Sequence, residues 1–351
     1  MRILLVTQMW PTPVDPDLGS FLVPLARELR AAGHEVEVCA VARRGGPQTK
    51  YVRLVVAAVV ASRRMRPDVV FAHFLFPAGA AGLAAARAAG APLVVMAHGQ
   101  DVANLAHVAL RAATQPVVRG AAAVVANSGW LAERLEARYR GVRCEVCNVG
   151  VDLQAFALTS TAEVAWPGEP PRFLCVGSLI ERKNVVGLAD AFAALGRGSL
   201  AFVGDGPLRP ALEGRASVHL VGRIPHDAVP GWVTASDVVC QPSLVEPFGQ
   251  ALLEAMAMER TVIATTEGGP PEFVTSEAGV LVEPRDAAAL RNALETAAAM
   301  PRPNRAARAA AEAHDVRRHA TRMAAILQRA VSRSKTPSSR PSTGDQAHAI
   351  R

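Results

Sequence analysis

Aromatic side chains are scarce in this chain: Phe, Trp and Tyr make up 5% of its 351 residues, with two tyrosines and four tryptophans. Nucleic-acid binding by base stacking is therefore not expected despite a net charge of +7, because no aromatic–basic motif accompanies the charge. Long apolar runs are missing as well. A bilayer span needs ~18 consecutive apolar residues, and the longest candidates, such as residues 54–61, run straight into arginines. The opening Met1-Arg2-Ile3-Leu4-Leu5-Val6 is too short for the apolar core of a signal peptide and lacks a small-residue cleavage site. It reads as a buried first strand, and a cytoplasmic location is expected. The five cysteines form no disulfide framework. Cys39, Cys175 and Cys240 end or interrupt apolar runs, and the C-x-x-C of Cys144 and Cys147 has no second pair or nearby histidine to complete a zinc site. No metal site and no cofactor are expected. The loop after the first strand lacks G-x-G-x-x-G, and no phosphate-loop motif G-x-x-x-x-G-K-[ST] occurs anywhere.

What is present is alternation. Half of the residues are hydrophobic, which excludes a disordered or collagen-like chain, and the length suits two domains. β-branched runs at 3–6, 36–39, 69–71, 93–96 and 123–126 read as buried parallel strands, each followed by helical sequence. One such helix, 21–32, is closed by Gly33. The pattern restarts at 173–176 and continues through 200–203, 218–221, 237–240, 262–264 and 280–282. This predicts an α/β protein of two doubly wound, Rossmann-like domains facing a central cleft. The boundary falls near 150–170: residues 1–150 form the first domain and 151–302 the second. Residues 303–331 read as one Ala- and Arg-rich helix packed on the body, and 332–351 as a disordered tail rich in Ser, Pro and Thr.

In such folds ligands bind at the carboxyl ends of the strands, so the loops there carry the chemistry. The richest is Pro242-Ser243-Leu244-Val245-Glu246-Pro247-Phe248-Gly249-Gln250, leading into a helix that contains Glu254. Pro247 suits a helix entry, which leaves Glu246 outside the helix and aims the free amides at its start into the cleft. Two acids so placed can hydrogen-bond two polyol parts of one extended ligand. The bland alternative, a dipole-complementing Glu246 and a solvated Glu254, fits either residue alone but not the whole string. The turn Gly177-Ser178-Leu179-Ile180-Glu181-Arg182-Lys183 puts two cations at a helix entrance, where they are unfavourable unless an anion is bound, and a diphosphate is the sharper reading. Gly204-Asp205-Gly206 is a weak turn signal by itself. Arg223-Ile224, in the loop after the next strand, could hold a flat base, and Gly268-Gly269-Pro270-Pro271-Glu272 is a further strand-end loop. In the first domain, Asp15 and Asp17 lie in a Pro-rich loop that reads as turns rather than a metal site. His98, within His98-Gly99-Gln100-Asp101, follows a very apolar strand and is as readily a site residue as a structural one; His73 reads as a cleft-wall residue.

Taken jointly, these residues resemble the retaining glycosyltransferases of family 4, with the two-domain GT-B fold, over nearly the whole chain to about residue 300. The carriers are Glu246 and Glu254 as an E-x7-E motif with Phe248-Gly249, Gly177-Ser178-Leu179 through Lys183, Gly204-Asp205-Gly206-Pro207 and Gly268 through Glu272. The first domain adds Gly19-Ser20 and His98-Gly99-x-Asp101, and the interdomain Gly150-Val151-Asp152 completes the match. The resemblance implies a nucleotide-diphosphate sugar donor, no metal requirement and transfer to an acceptor hydroxyl with retention of configuration. It further implies that Lys183 binds the diphosphate, Glu254 the ribose, and Glu246 with the backbone of Phe248, Gly249 and Gln250 the sugar hydroxyls. Gly19 would let the first domain approach the phosphates. His98 would border the reacting sugar, with Ser20, His73 and Asp101 on the acceptor side. Many members have arginine where Ser178 stands, and Arg182 is the candidate replacement. A nucleotide-sugar 2-epimerase of the same fold, or a non-catalytic sugar-nucleotide-binding protein, are the alternatives; the retained Lys183, Glu246 and Glu254 argue against both. The base, the sugar and the acceptor, whether glycan, lipid-linked or small-molecule hydroxyl, stay open.

Residues 43–66 carry Arg43, Arg44, Lys50, Arg53, Arg63, Arg64 and Arg66 without one acid, around the apolar 54–61. Such a segment can lie on anionic lipid at the inner membrane face, or be a core helix with a solvated side.

Overall fold

A computed structural model describes residues 1–99, 101, 106–157 and 164–335. The first half alternates β1 (Arg2–Thr7), α1 (Leu22–Ala31), β2 (Glu35–Ala40), α2 (Thr49–Met65), β3 (Val69–His73), α3 (Ala78–Ala89), β4 (Leu93–Ala97), α4 (Val108–Gly120), β5 (Ala123–Ala126), α5 (Gly129–Arg138) and β6 (Cys144–Val146). The second half alternates β7 (Arg172–Val176), α6 (Val185–Leu195), β8 (Ser199–Val203), α7 (Arg209–Leu212), β9 (Val218–Gly222), α8 (Val229–Ala235), β10 (Val238–Gln241), α9 (Gln250–Ala257), β11 (Thr261–Thr265), β12 (Gly279–Val282) and α10 (Ala287–Ala299). Two further helices follow, α11 (Arg305–Ala313) and α12 (Val316–Lys335).

Each half is a six-stranded sheet, in the orders β2-β1-β3-β4-β5-β6 and β12-β11-β10-β7-β8-β9, and every strand pair is parallel. β1, β3, β4, β8 and β11 are buried on both faces or nearly so, which is why they read as unbroken apolar runs rather than alternating ones. The expected strands are all present. β6 is an addition, a three-residue edge strand on β5 within the C-x-x-C region.

The expected single helix over 303–331 is a correction: the chain makes two helices, broken at His314 and Asp315. The cause is tertiary. Val151 of the interdomain linker pairs with this break, its N–H donating to the His314 carbonyl at 2.8 Å and its own carbonyl accepting from Val316 at 2.9 Å. Helical residues could not offer those groups. Beyond the break, α12 returns to the first half and packs against α1, β3 and β4. The two passages between the halves, near 150 and 315, are thus tied to each other. α12 runs to Lys335, four residues into the stretch expected to be a disordered tail; residues 336–351 lie outside the described part. Among the described residues, no helix is long and apolar enough to cross a membrane.

Candidate active site

The carboxyl ends of the two sheets face each other across a cavity of about 360 Å³. Its second-half wall is the loop after β10 together with the turn after β7, contributing Ser178, Ile180, Arg182, Glu246 and the stretch Pro247 to Gln250. Pro247 and a left-handed Gly249 (φ 103°) end the loop before α9 begins at Gln250, so Glu246 stands outside the helix as expected. Glu246 is held by its neighbours on both sides: its N–H donates to Glu267 at 2.9 Å and its carbonyl accepts from Gly269 at 2.9 Å. Gly268 (φ 126°) lies so close that a Cβ there would fall 1.9 Å from the Glu246 carbonyl oxygen. That close approach explains the Gly-Gly pair without invoking a ligand.

Glu246 is 7% exposed, and Lys183 donates to its Oε2 at 2.5 Å while Ser243 Oγ donates at 3.1 Å. Burial pushes the Glu246 carboxyl up, but the charges of Lys183 and Arg182 and these hydrogen bonds outweigh it and hold the group below its ordinary value. It is therefore an anion. Arg182 donates to the Val245 carbonyl at 3.0 Å and lies 3.9 Å from Glu246 Oε2. Glu254, expected on α9, is 6% exposed, which removes its reading as a solvated surface acid. Its Oε1 lies 3.2 Å from Nε2 of His226. Burial lowers the His226 basicity, but the hydrogen bond and charge of Glu254, with Asp227 and Asp152, raise it above the ordinary histidine value.

An adjoining cavity of about 270 Å³ continues over the ends of β7, β8 and β9, lined by Gly177, Asp205, Arg223, Ile224 and His226 from the second half and by Asp17 and Arg44 from the first. Asp15 and Asp17 are salt-bridged to Arg44. Among the described residues no group of three or more His, Cys, Asp or Glu side chains is placed to hold a metal ion.

The first-half wall is mostly uncharged: Met9, Phe21, Phe74, His98, Gly99 and Asn127. His98 is wedged between Phe21 and Phe74, with ring centroids 5.3 and 4.6 Å away, and burial depresses it to about 3, so the ring is neutral. His73 and Asp101, expected on the acceptor side, do not reach the cavity; both are 1% exposed and act on His98 from behind. His73 Nδ1 lies 2.9 Å from His98 Nε2. Asp101 accepts from the backbone N–H groups of Leu75 (3.0 Å) and His98 (2.9 Å), fixing the two strand-end loops together, and burial pushes its carboxyl up to about 7. Ser20 and Gly19 are not among the residues lining either cavity. Gly19 (φ 70°) is required instead by Met9, whose Cβ would be 2.7 Å from an added Cβ.

Ser128, which was not singled out from the sequence, and Glu272 of the Gly-Gly-Pro-Pro-Glu loop complete the site. Ser128 Oγ donates to the Pro247 carbonyl at 2.7 Å and caps α5, and Glu272 bridges back to the N–H of Trp130 (3.1 Å) and to Asn148 (3.2 Å). The position of Asn127-Ser128 just after a strand was the available signal.

Two family models match the chain: "Glycosyltransferase Family 4" over residues 18–155 and "Glycosyl transferases group 1" over residues 170–299. A glycosyltransferase of Bacillus subtilis (strain 168) named for teichuronic acid biosynthesis, TuaC, is 26% identical over 345 residues, covering 84% of this chain and 88% of its own. Glycogen synthase of Mycobacterium tuberculosis (strain ATCC 25618 / H37Rv) is 27% identical over 377 residues, 88% of this chain and 89% of its own. Among solved structures, sucrose-phosphate synthase from Thermosynechococcus elongatus superposes with a TM-score of 0.79 at 20% identity, over 95% of this chain and all of that one. Anabaena Alr3699/HepE in complex with UDP-glucose gives 0.71 at 20% identity, over 94% and 100%. Facing six-stranded parallel sheets, both family models and near full-length relatives agree: this chain belongs to the group 1 and family 4 glycosyltransferases of the GT-B fold.

Proposed function

We propose that the protein moves a sugar from a nucleotide-diphosphate donor to an acceptor hydroxyl, with retention of anomeric configuration and without a metal ion. The observation that carries this reading is the Lys183–Glu246 contact at 2.5 Å at the edge of the interdomain cavity, an ionised carboxylate and a cation held side by side. A diphosphate entering here gains Lys183 and Arg182 as counter-charges, while Glu246 turns to the sugar hydroxyls. Glu254, beyond it on α9, takes the ribose, and Arg223 and Ile224 border the base. The Anabaena relative of the same fold has been crystallised with UDP and with UDP-glucose, which supports a donor of that class.

In this reading the bond from the anomeric carbon to the diphosphate oxygen breaks as the acceptor oxygen attacks on the same face. The acceptor proton passes to the departing phosphate oxygen. The demand on the protein is then stabilisation of the leaving diphosphate, which Lys183, Arg182 and the start of α9 meet electrostatically. Arg182 supplies the cation missing at Ser178. The neutral first-half wall closes over the sugar and excludes competing water. The test is transfer in excess EDTA with the anomeric coupling constant of the product. Retained activity and the donor's anomeric configuration are expected. An inverted product, or activity lost and restored only by Mg²⁺ or Mn²⁺, contradicts the reading.

The segment 43–66 is assigned to peripheral contact with an anionic membrane. Leu54, Ala58 and Ala61 of α2 face the core, yet Val52, Val56 and Val60 form a stripe that is 64, 58 and 59% exposed. Arg53, Arg63 and Arg64 flank that stripe, and the segment carries no acid. Recovery in the pellet with anionic but not neutral vesicles at low salt is expected; equal recovery in the supernatant with both removes the assignment.

A further inference from the structure

Three imidazoles lie buried behind the cavity: His98 on its wall, His73 behind it, and His319 on α12. His319 Nδ1 accepts from the backbone N–H of Gly150, in the interdomain linker, at 3.3 Å. An accepting Nδ1 on a neutral imidazole places the proton on Nε2. Burial holds His319 down at about 4 and His73 well below the ordinary histidine value, so both rings are neutral. α12, which carries His319, packs against β3 and β4, at whose ends His73 and His98 lie.

Two ring nitrogens in this group, His73 Nε2 and His319 Nε2, are buried with no hydrogen-bond partner among the described residues. The His319 atom is a donor by the argument above. His73 has two choices. If its proton is on Nδ1, it donates to His98 Nε2 and its own Nε2 is an acceptor. If its proton is on Nε2, two buried N–H groups are left without an acceptor, and orphaned buried donors are the rarer and costlier case. The first arrangement leaves one orphaned donor in place of two and is the one the buried core favours.

We infer that His73 is a positioning residue that sets the tautomer of His98: it donates from Nδ1 to His98 Nε2, leaves His98 protonated on Nδ1, and so makes it a donor to an oxygen of the bound sugar. This rests on the proposed place of His98 beside the reacting sugar, and the experiment separates the two.

The test is two-bond ¹H–¹⁵N NMR of the histidine rings in the ligand-free full chain, which distinguishes protonated from bare ring nitrogens without any substrate. The expected pattern is Nδ1-protonated His73, Nδ1-protonated His98 and Nε2-protonated His319. An Nε2-protonated His98 overturns the inference whatever the enzyme transfers. Kinetics of two near-isosteric variants add the functional arm. His73→Asn can still donate to His98 Nε2 and should keep kcat within about 5-fold of wild type. His73→Leu offers His98 Nε2 no donor, leaves its tautomer unset, and should lower kcat by at least about 5-fold more than His73→Asn does, with donor KM changed less than about 3-fold. Equal loss in both variants, or a Leu variant as active as the Asn variant, overturns the positioning role. The expected NMR pattern with kcat untouched by His73→Leu would instead remove His98 from the sugar and overturn the donor role.

Discussion

The two halves of the cleft are built from the same six-stranded parallel sheet, yet they offer a ligand different surfaces. The second half presents charge: Lys183 and Arg182, each within 4 Å of Glu246, and Glu254 paired to His226. The first half presents a neutral imidazole, two phenyl rings and an amide, with its charged residues either buried behind the wall, as Asp101 is, or clipped together at the rim, as Arg44 and Asp17 are. A fold repeated twice therefore does not repeat its chemistry. In the proposed function, one half holds and discharges a diphosphate and the other seals an uncharged sugar against water and admits a hydroxyl.

The largest expected effect breaks the charged side. Lys183→Ala should lower kcat at least ~100-fold, a few kcal/mol of transition-state stabilisation, with unchanged circular dichroism. Near-full turnover would reduce Lys183–Glu246 to a structural ion pair. Next, if the proposed placement of the donor holds, Glu246→Gln should lower kcat itself, because the anomeric carbon would gain positive charge beside it. Glu254→Gln should then mainly raise donor KM, since a ribose bound there does not react. A hydrogen bond to a charged group is worth ~1.5–3 kcal/mol, so each change should be roughly 10- to 150-fold. Donor-saturation kinetics on both variants decide it, and interchanged effects would reverse the assignment of sugar and ribose.

A smaller effect concerns the join between the halves. Ser128→Ala removes both the cap of α5 and the bond to the Pro247 carbonyl, and a lost cap costs ~1 kcal/mol. A lower urea midpoint with a mildly raised KM is expected; an unchanged midpoint would show that Ser128 does not brace the Glu246 loop. The smallest is a pH effect. His226 is held above its ordinary value by Glu254, so the pairing is fully present below about 6.5 and is lost as pH rises through the folded value. Donor KM should drift upward over that range in wild type and stay flat in His226→Gln. A drift of equal size in that variant would locate the titration elsewhere.

β1, β3, β4, β8 and β11 were legible because they are doubly buried and need apolar runs on both faces. β6 escaped because Cys144-Glu145-Val146 is an edge strand with no apolar run. The break at His314 and Asp315 escaped because the Ala- and Arg-rich pattern continues across it; only the backbone of Val151 demands it. The same division holds in the site. Glu246, Glu254, Arg182 and Lys183 are close in sequence to turns that reveal them. The pairing of Glu254 with His226, 28 residues apart, and the retreat of His73 and Asp101 behind His98 depend on which way a strand end turns. Spacing carries no record of that.

The comparison itself is tested most directly by calorimetric titration of a panel of nucleoside diphosphates into the wild type, Lys183→Ala and His98→Ala. The nucleotide that binds wild type should bind His98→Ala with nearly the same affinity and Lys183→Ala at least ~10-fold more weakly, as expected for loss of a charge-assisted bond. Unchanged affinity in Lys183→Ala, or a loss in His98→Ala as large as in Lys183→Ala, would contradict the division of labour between the halves.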